Sequence, residues 1–320
     1  MITTMVGNYP KVAEGGYGTT LIGTLNKWQR KELSDAQLED AHQEMTKAVI
    51  HETDEAGLDL LTDGQIRWED LVTPIAKGVD GFEINGLTRW FDNNVYYRRP
   101  ILREAPAYRG PILVQAYRFA AGCTSKPVKA VLPGPYSFVQ VSEDQHYGAQ
   151  RPFVLTMAQI LNQEARALAA AGAPIVQFDE PALGFGKPNL RLVGEALTVA
   201  TKGVKAKTAL YTYFGSLDGA FASLMRVPVD ILGLDVVSEP KAISVLKTAK
   251  LTKELAVGCV DARNTKLESV TELHALFDLI KKYAPLDRLY VNPNCGLEFL
   301  PHTQALAKIR RLVQAVRTYR

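Results

Sequence analysis

Eight short runs of apolar and β-branched residues recur along this chain, most of them separated by stretches with helical periodicity. The runs cover 3–7, 58–62, 128–132, 174–178, 209–212, 231–234, 255–260 and 289–291. They lack polar alternation, as expected of parallel strands covered on both faces. Between them, Ser34-Asp-Ala-Gln37 is a capping box that opens a helix predicted to run through Glu55. Further amphipathic stretches cover 153–171, 190–201, 217–226, 241–248, 269–283 and 303–317. Eight strands with helical crossovers in 320 residues match the count and length of a (β/α)8 TIM barrel, read here as one domain over 1–320. An open doubly wound sheet is the competing architecture. The first strand–helix turn lacks the glycine fingerprint of a dinucleotide site, which lowers that option. Residues 80–127 break the rhythm. They are aromatic, basic and turn-rich, including Trp90-Phe-Asp-Asn-Asn-Val-Tyr-Tyr-Arg-Arg-Pro100, and read as an insertion between the second and third strands.

In such a barrel, chemistry is built from the residues just after each strand. Those positions hold Asn8, then Asp63 and Gln65, Gly134 and Tyr136, and Asp179 and Glu180. Tyr211 and Tyr213, Asp235, Asp261 and Arg263, and finally Asn294 and Cys295 complete the rim. The densest element is Gln177-Phe-Asp-Glu-Pro-Ala-Leu183, two adjacent acids held at a strand end by a proline. Paired acids there can bind an amino group, orient a base or bind a cation. The competing role is to cap the following helix. Tyr96, Tyr97, Arg98 and Arg99 suit an anionic or flat ligand by stacking and paired hydrogen bonds, or equally a solvated hairpin. Of five histidines only His302 falls near the rim, and no pair has the HxxxH or HxC spacing of a metal site.

Composition narrows the function classes. A net charge of +3 with acids and bases interspersed gives no electrostatic footprint for nucleic acid or a membrane surface. No segment approaches the roughly 18 uninterrupted apolar residues of a membrane span. The first residues show no signal-peptide pattern, so a cytoplasmic location is expected. Three cysteines without a CxxC argue against a disulfide framework, and Cys123 and Cys259 read as buried small hydrophobes.

Five segments run in the order found in one known family. They are Met5-Val-Gly-Asn-Tyr-Pro-Lys11, Thr62-Asp-Gly-Gln65, Trp90-Phe-Asp92, Gln177-Phe-Asp-Glu-Pro-Ala-Leu183 and Val291-Asn-Pro-Asn-Cys-Gly296. Together they resemble the cobalamin-independent methionine synthases. Full-length members of that family contain two related barrels, and this chain is the size of one. Shorter single-barrel members exist, some of which take the methyl group from a corrinoid protein rather than a folate.

The resemblance implies a chemistry and a residue set. In the family's catalytic half a zinc ion binds homocysteine as a thiolate, lowering the thiol pKa so that sulfur attacks a methyl group. Its ligands are a His-x-Cys at the fifth strand, a Glu at the sixth and the Cys of NPxCG. Carried over, these positions become Tyr211, Tyr213, Asp235 and Cys295, of which only the cysteine is retained. The catalytic histidine after the seventh strand falls on Arg263, and the glutamate that helps hold the homocysteine amino group falls on Gln65. Asp179 matches the acid that contacts the same amino acid. The implied catalytic set is therefore Asp179, Arg263, Tyr211 and Tyr213. Substrate binding would fall to Asn8, Gln65, Asp179 and Glu180, and any metal to Cys295 and Asp235.

Two functions follow from the resemblance. One is a methyltransferase making methionine from homocysteine, with methyltetrahydrofolate or a methylcorrinoid as donor and zinc as the implied metal. The other is a zinc-free barrel like the family's N-terminal half, which binds methylfolate or docks a separate catalytic barrel.

Overall fold

The computed structural model describes residues 1–320 apart from 12–16, 90–95, 216, 218–219 and 247–250. Trp90-Phe-Asp92 and parts of the expected helices 217–226 and 241–248 lie outside the described residues.

The first part of the chain runs β1 (Ile2–Thr3), α1 (Tyr17–Gln29), α2 (Asp35–Glu55), α3 (Thr73–Gly78), β2 (Val79–Arg89), β3 (Tyr96–Tyr108) and α4 (Val114–Gly122). There follow β4 (Ala130–Pro133), α5 (Pro135–Gln140), β5 (Glu143–Asp144), α6 (Gln150–Ala170), β6 (Ile175–Asp179) and α7 (Leu190–Thr201). The last part holds β7 (Lys207–Tyr211), α8 (Phe221–Leu224), β8 (Ile231–Asp235), α9 (Ala242–Val245), β9 (Glu254–Val260), α10 (Val270–Ile280), β10 (Leu289–Pro293) and α11 (His302–Thr318).

Seven strands form one parallel sheet in the order β1-β10-β9-β8-β7-β6-β4. The gap between β4 and β1 is spanned by the predicted second run, 58–62. Leu60 bridges Thr4 and Leu61 bridges Val128, both in parallel sense. Leu60 N donates to Thr3 O at 3.1 Å, and Lys129 N donates to Leu61 O at 2.9 Å. The sheet therefore closes on itself in sequence order, which is a (β/α)8 barrel. Seven walls are laddered strands; the eighth is held by single bridges.

The residues explain the elements. Strand residues such as Val176, Phe178, Leu210, Leu232 and Val257 are buried, as a sheet covered on both faces requires. The capping box at Ser34 is formed in both directions, with Gln37 N to Ser34 Oγ at 3.3 Å and Ser34 N to Gln37 Oε1 at 2.9 Å. A second box, between Ser269 and Glu272, opens α10. Strands β2 and β3 pair antiparallel as a long hairpin, with β5 alongside β3. Phe82 of the hairpin packs on Phe138 and Phe153 with ring centroids 5.5 and 6.1 Å apart, seating it on the barrel. Helix α1 was not anticipated by periodicity. Among the described residues no helix is long and apolar enough to cross a membrane.

Candidate active site

A cavity of about 300 Å3 opens at the carboxyl ends of the barrel strands. It is lined by Asn8, Lys11, Gln65, Asp179, Tyr213 and Glu298, with Phe214, Tyr96 and Phe299 among its aromatic neighbours. Each polar group arrives by a different strand end. Asp179 is the last residue of β6 and shares its face with Gln177, two residues earlier. Gln177 Nε2 donates to Asp179 Oδ1 at 2.7 Å, and the Tyr213 hydroxyl donates to Asp179 Oδ2 at 3.0 Å. Burial pushes the Asp179 carboxyl above the usual carboxylate range, and it pushes the Tyr213 phenol further from ionisation.

Gln65 has a left-handed backbone, φ +50, uncommon for a residue with a side chain. Its amide nitrogen is held by Asp63 Oδ1 at 2.9 Å, while its own side-chain Nε2 is buried without a hydrogen-bond partner. Glu298 is in the same condition. Its Oε1 accepts from Asn8 Nδ2 at 3.4 Å, and its Oε2 has no partner. Burial raises the Glu298 pKa. Lys11 donates to the Trp68 carbonyl, and burial lowers its pKa against the opposing pull of Glu298, Glu69, Asp70 and Asp63. Buried polar atoms without partners are uncommon in native proteins. Here a donor (Gln65 Nε2) and an acceptor (Glu298 Oε2) line one cavity with the Asp179 carboxylate. A small zwitterion supplies the complement of all three.

The other predicted site residues take different positions. Glu180 is wholly buried and turned away from the cavity. Its carboxylate accepts from Tyr136 N at 2.9 Å and Ser137 N at 2.6 Å, capping α5, and burial pushes its pKa up to about 7. Tyr211 lies under Lys129, whose Nζ sits 4.7 Å from the ring centroid, and it does not line the cavity. Arg263 is exposed, its guanidinium 5.5 Å from the Phe214 ring, so it reaches the cavity only through that aromatic wall. Asn294 works as a clamp, accepting from Ala262 N at 2.9 Å and donating to Asp235 Oδ2 at 3.2 Å.

The positions that correspond to zinc ligands do not suit the metal. Asp235 Oδ1 accepts from Val237 N and Ser238 N at 3.0 and 2.8 Å; its Oδ2 accepts from Phe214 N and Asn294 Nδ2 at 3.3 and 3.2 Å. Four donors use the four lone-pair sites of a carboxylate. The Cys295 thiol is buried, and desolvation together with Glu298 and Asp235 pushes it well above its ordinary pKa. Tyr211 and Tyr213 would have to ionise, yet burial raises both, and Tyr213 spends its proton on Asp179. Among the described residues no group of three or more His, Cys, Asp or Glu could hold a metal ion. Of the four positions only the Cys295 sulfur is an ordinary zinc ligand that keeps its lone pairs unspent, and a zinc site needs four such ligands.

Sequence reasoning missed Lys11 and Glu298. Lys11 closes the segment Met5–Lys11, three residues after Asn8, and Glu298 lies two residues beyond Val291–Gly296, three after Cys295. Counting one helical turn further along each strand end would have found them.

Comparison with known proteins agrees with this architecture. The family model described as "Cobalamin-independent synthase, Catalytic domain" matches residues 1–318. A methionine synthase of Saccharolobus solfataricus is 30% identical over 320 residues, covering 99% of this chain and 94% of that protein. A methionine synthase of Sulfolobus acidocaldarius is 29% identical over 314 residues, covering 98% and 90%. Among solved structures, a B12-independent methionine synthase from a Shewanella species, determined in complex with selenomethionine, superposes with a TM-score of 0.85. That pair is 22% identical and covers 98% of this chain and 96% of the other, which shows a shared fold. With the family model spanning nearly every residue, the chain belongs to the cobalamin-independent methionine synthase family.

Proposed function

We propose that this chain binds homocysteine in the cavity at the strand ends and methylates its sulfur, with a methylfolate or a methylcorrinoid as donor. The observation that carries the reading is the set of unsatisfied groups around Asp179. Gln65 Nε2 lacks an acceptor, Glu298 Oε2 lacks a donor, and Asp179 faces the same space. An amino-acid carboxylate answers the first, a thiol S–H answers the second, and an ammonium group answers Asp179. In this reading Asp179 takes the ammonium, with Gln65 and Asn8 at the polar end of the ligand.

A thiol must lose its proton to become a nucleophile. In this reading Glu298, which lines the cavity and whose pKa burial raises, takes it. The S–CH3 bond then forms as the methyl–nitrogen bond of a folate breaks. The electron pair stays on that nitrogen, which ends up with the proton released by the thiol. With a corrinoid donor the methyl–cobalt bond breaks instead, its electron pair stays on cobalt, and the proton leaves to solvent.

A second reading is favoured by the unsuitable zinc-ligand positions. In it the barrel binds methylfolate without turning over, or docks a separate catalytic barrel. Calorimetry with homocysteine and methylfolate, paired with mass-spectrometric detection of methionine, separates the two. The first reading expects homocysteine binding weakened about 10- to 100-fold by Asp179→Asn, the cost of losing a charged hydrogen bond, and methionine formed from at least one donor. Saturable methylfolate binding without methionine supports the second. A protein that binds neither compound refutes the first reading and the methylfolate form of the second.

A further inference from the structure

We infer that Lys129 is a positioning residue: by holding the Gln177 amide in one orientation, it presents Asp179 to the ammonium group of an amino-acid ligand. The inference rests on the amino-acid reading of the cavity given above.

Lys129 precedes β4, and its side chain runs inside the barrel, where only 2% of the residue is exposed. Burying an ammonium group is expensive, and such groups persist when they are paired and hydrogen-bonded. Lys129 Nζ donates to Gln177 Oε1 at 2.6 Å and lies over the Tyr211 ring. An ammonium has three donors and no acceptor. Facing it, Gln177 can present only its oxygen. The amide nitrogen is then turned the other way, where it donates to Val6 O at 2.9 Å and to Asp179 Oδ1 at 2.7 Å.

The flipped amide would set NH2 against the ammonium and oxygen against two acceptors, so all three bonds would be lost together. With Gln177 on Oδ1 and Tyr213 on Oδ2, the lone pairs left to Asp179 are those a ligand can reach. Charge acts in the same sense. Asp179 faces Glu298 across the cavity and neighbours Glu180 along the chain, with the phenols of Tyr211 and Tyr213 beside it. Burial lowers the Lys129 pKa and the Asp179 carboxylate opposes that shift, so each of the two groups favours the charged form of the other.

The test compares two ligands. Methionine carries the ammonium group, and 4-(methylsulfanyl)butanoate is the same molecule without it. Calorimetry on Lys129→Met should show an affinity for methionine reduced about 10- to 100-fold, the range for a charged hydrogen bond, with the deaminated ligand unaffected. Gln177→Leu should show the same selectivity, and the double variant should be no weaker than Gln177→Leu alone, because both act through one path. Equal losses for the two ligands, or losses that add, overturn the proposal. If Lys129→Met does not fold, Lys129→Gln carries the same comparison.

Wild-type protein that binds neither ligand defeats the amino-acid reading instead. The hold on Asp179 is then read from melting midpoints of Lys129→Met, Asp179→Asn and their combination. Non-additive shifts support it, and additive shifts overturn it.

Discussion

Asp179 and Glu180 are adjacent in sequence and do different work, because the chain turns out of β6 between them. Asp179 stays on the cavity side with Gln177, whereas Glu180 is carried round to the amides of Tyr136 and Ser137. The sequence offered both roles for the pair, ligand binding and helix capping, and each acid takes one. Which acid took which depends on the path of the backbone after the proline, and no residue count reveals that.

Glu180 also leaves a mark on stability. Its folded pKa is pushed up to about 7, against an ordinary value of 4.5. Between those two pH values the folded chain keeps a proton that the unfolded chain releases. Stability should therefore fall as pH rises through that window, by at most roughly 3 kcal/mol from this group. In Glu180→Gln that share of the slope should vanish, although one of the two amides loses its acceptor and the variant is less stable outright. Denaturant unfolding at pH 5, 6, 7 and 8 measures the difference, and parallel slopes for the two proteins would contradict it.

At the level of elements, the site depends on two backbones in contact. The turn at 181–184 and the loop after β7 meet at Gly184 and Gly215, where a Cβ built on Gly215 would stand 2.1 Å from Gly184 O. These segments follow Asp179 and Tyr213, whose hydrogen bond spans the same gap. Gly215→Ala should push them apart, costing about 1–3 kcal/mol as overpacking does and weakening ligand binding at the same time. Chemical denaturation and calorimetry on the one variant check both. Unchanged affinity together with unchanged stability would show that the contact is slack.

Much of the element pattern was legible because parallel strands and amphipathic helices write their burial into composition. The capping box at Ser34 marked one helix start correctly. The contact of two glycines was not legible, since 31 residues separate Gly184 from Gly215 and only the barrel brings them together. Lys129 was hidden for a related reason. It sits within a run read as apolar, and a lysine there gains meaning only from Gln177 on the neighbouring wall.

For the whole molecule, the resemblance carried the barrel and the family further than it carried the metal. Four strand ends must converge with unspent ligands to hold zinc, and of these four only Cys295 is retained. Asp235 is saturated by backbone and amide donors, and the phenol of Tyr213 is committed to Asp179. Purified protein should hold zinc well below one equivalent by mass spectrometry, and a chelator should leave its melting midpoint unmoved. Stoichiometric zinc that disappears in Cys295→Ala would reverse that conclusion.

The eighth wall has a kinetic consequence. Segment 58–62 is bridged rather than laddered: Asp59 N and Leu60 N donate to Thr3 O on one side, and on the other Leu61 N donates to Pro127 O and Lys129 N to Leu61 O. Protection from solvent exchange follows how many bonds must break together, so amide deuteration should enter the barrel first along 58–62. Asn8 and Gln65 stand just beyond that seam, one on each side of it. A ligand gripping both would act as a rivet across the loosest joint, and bound homocysteine should slow deuteration there more than anywhere else in the wall.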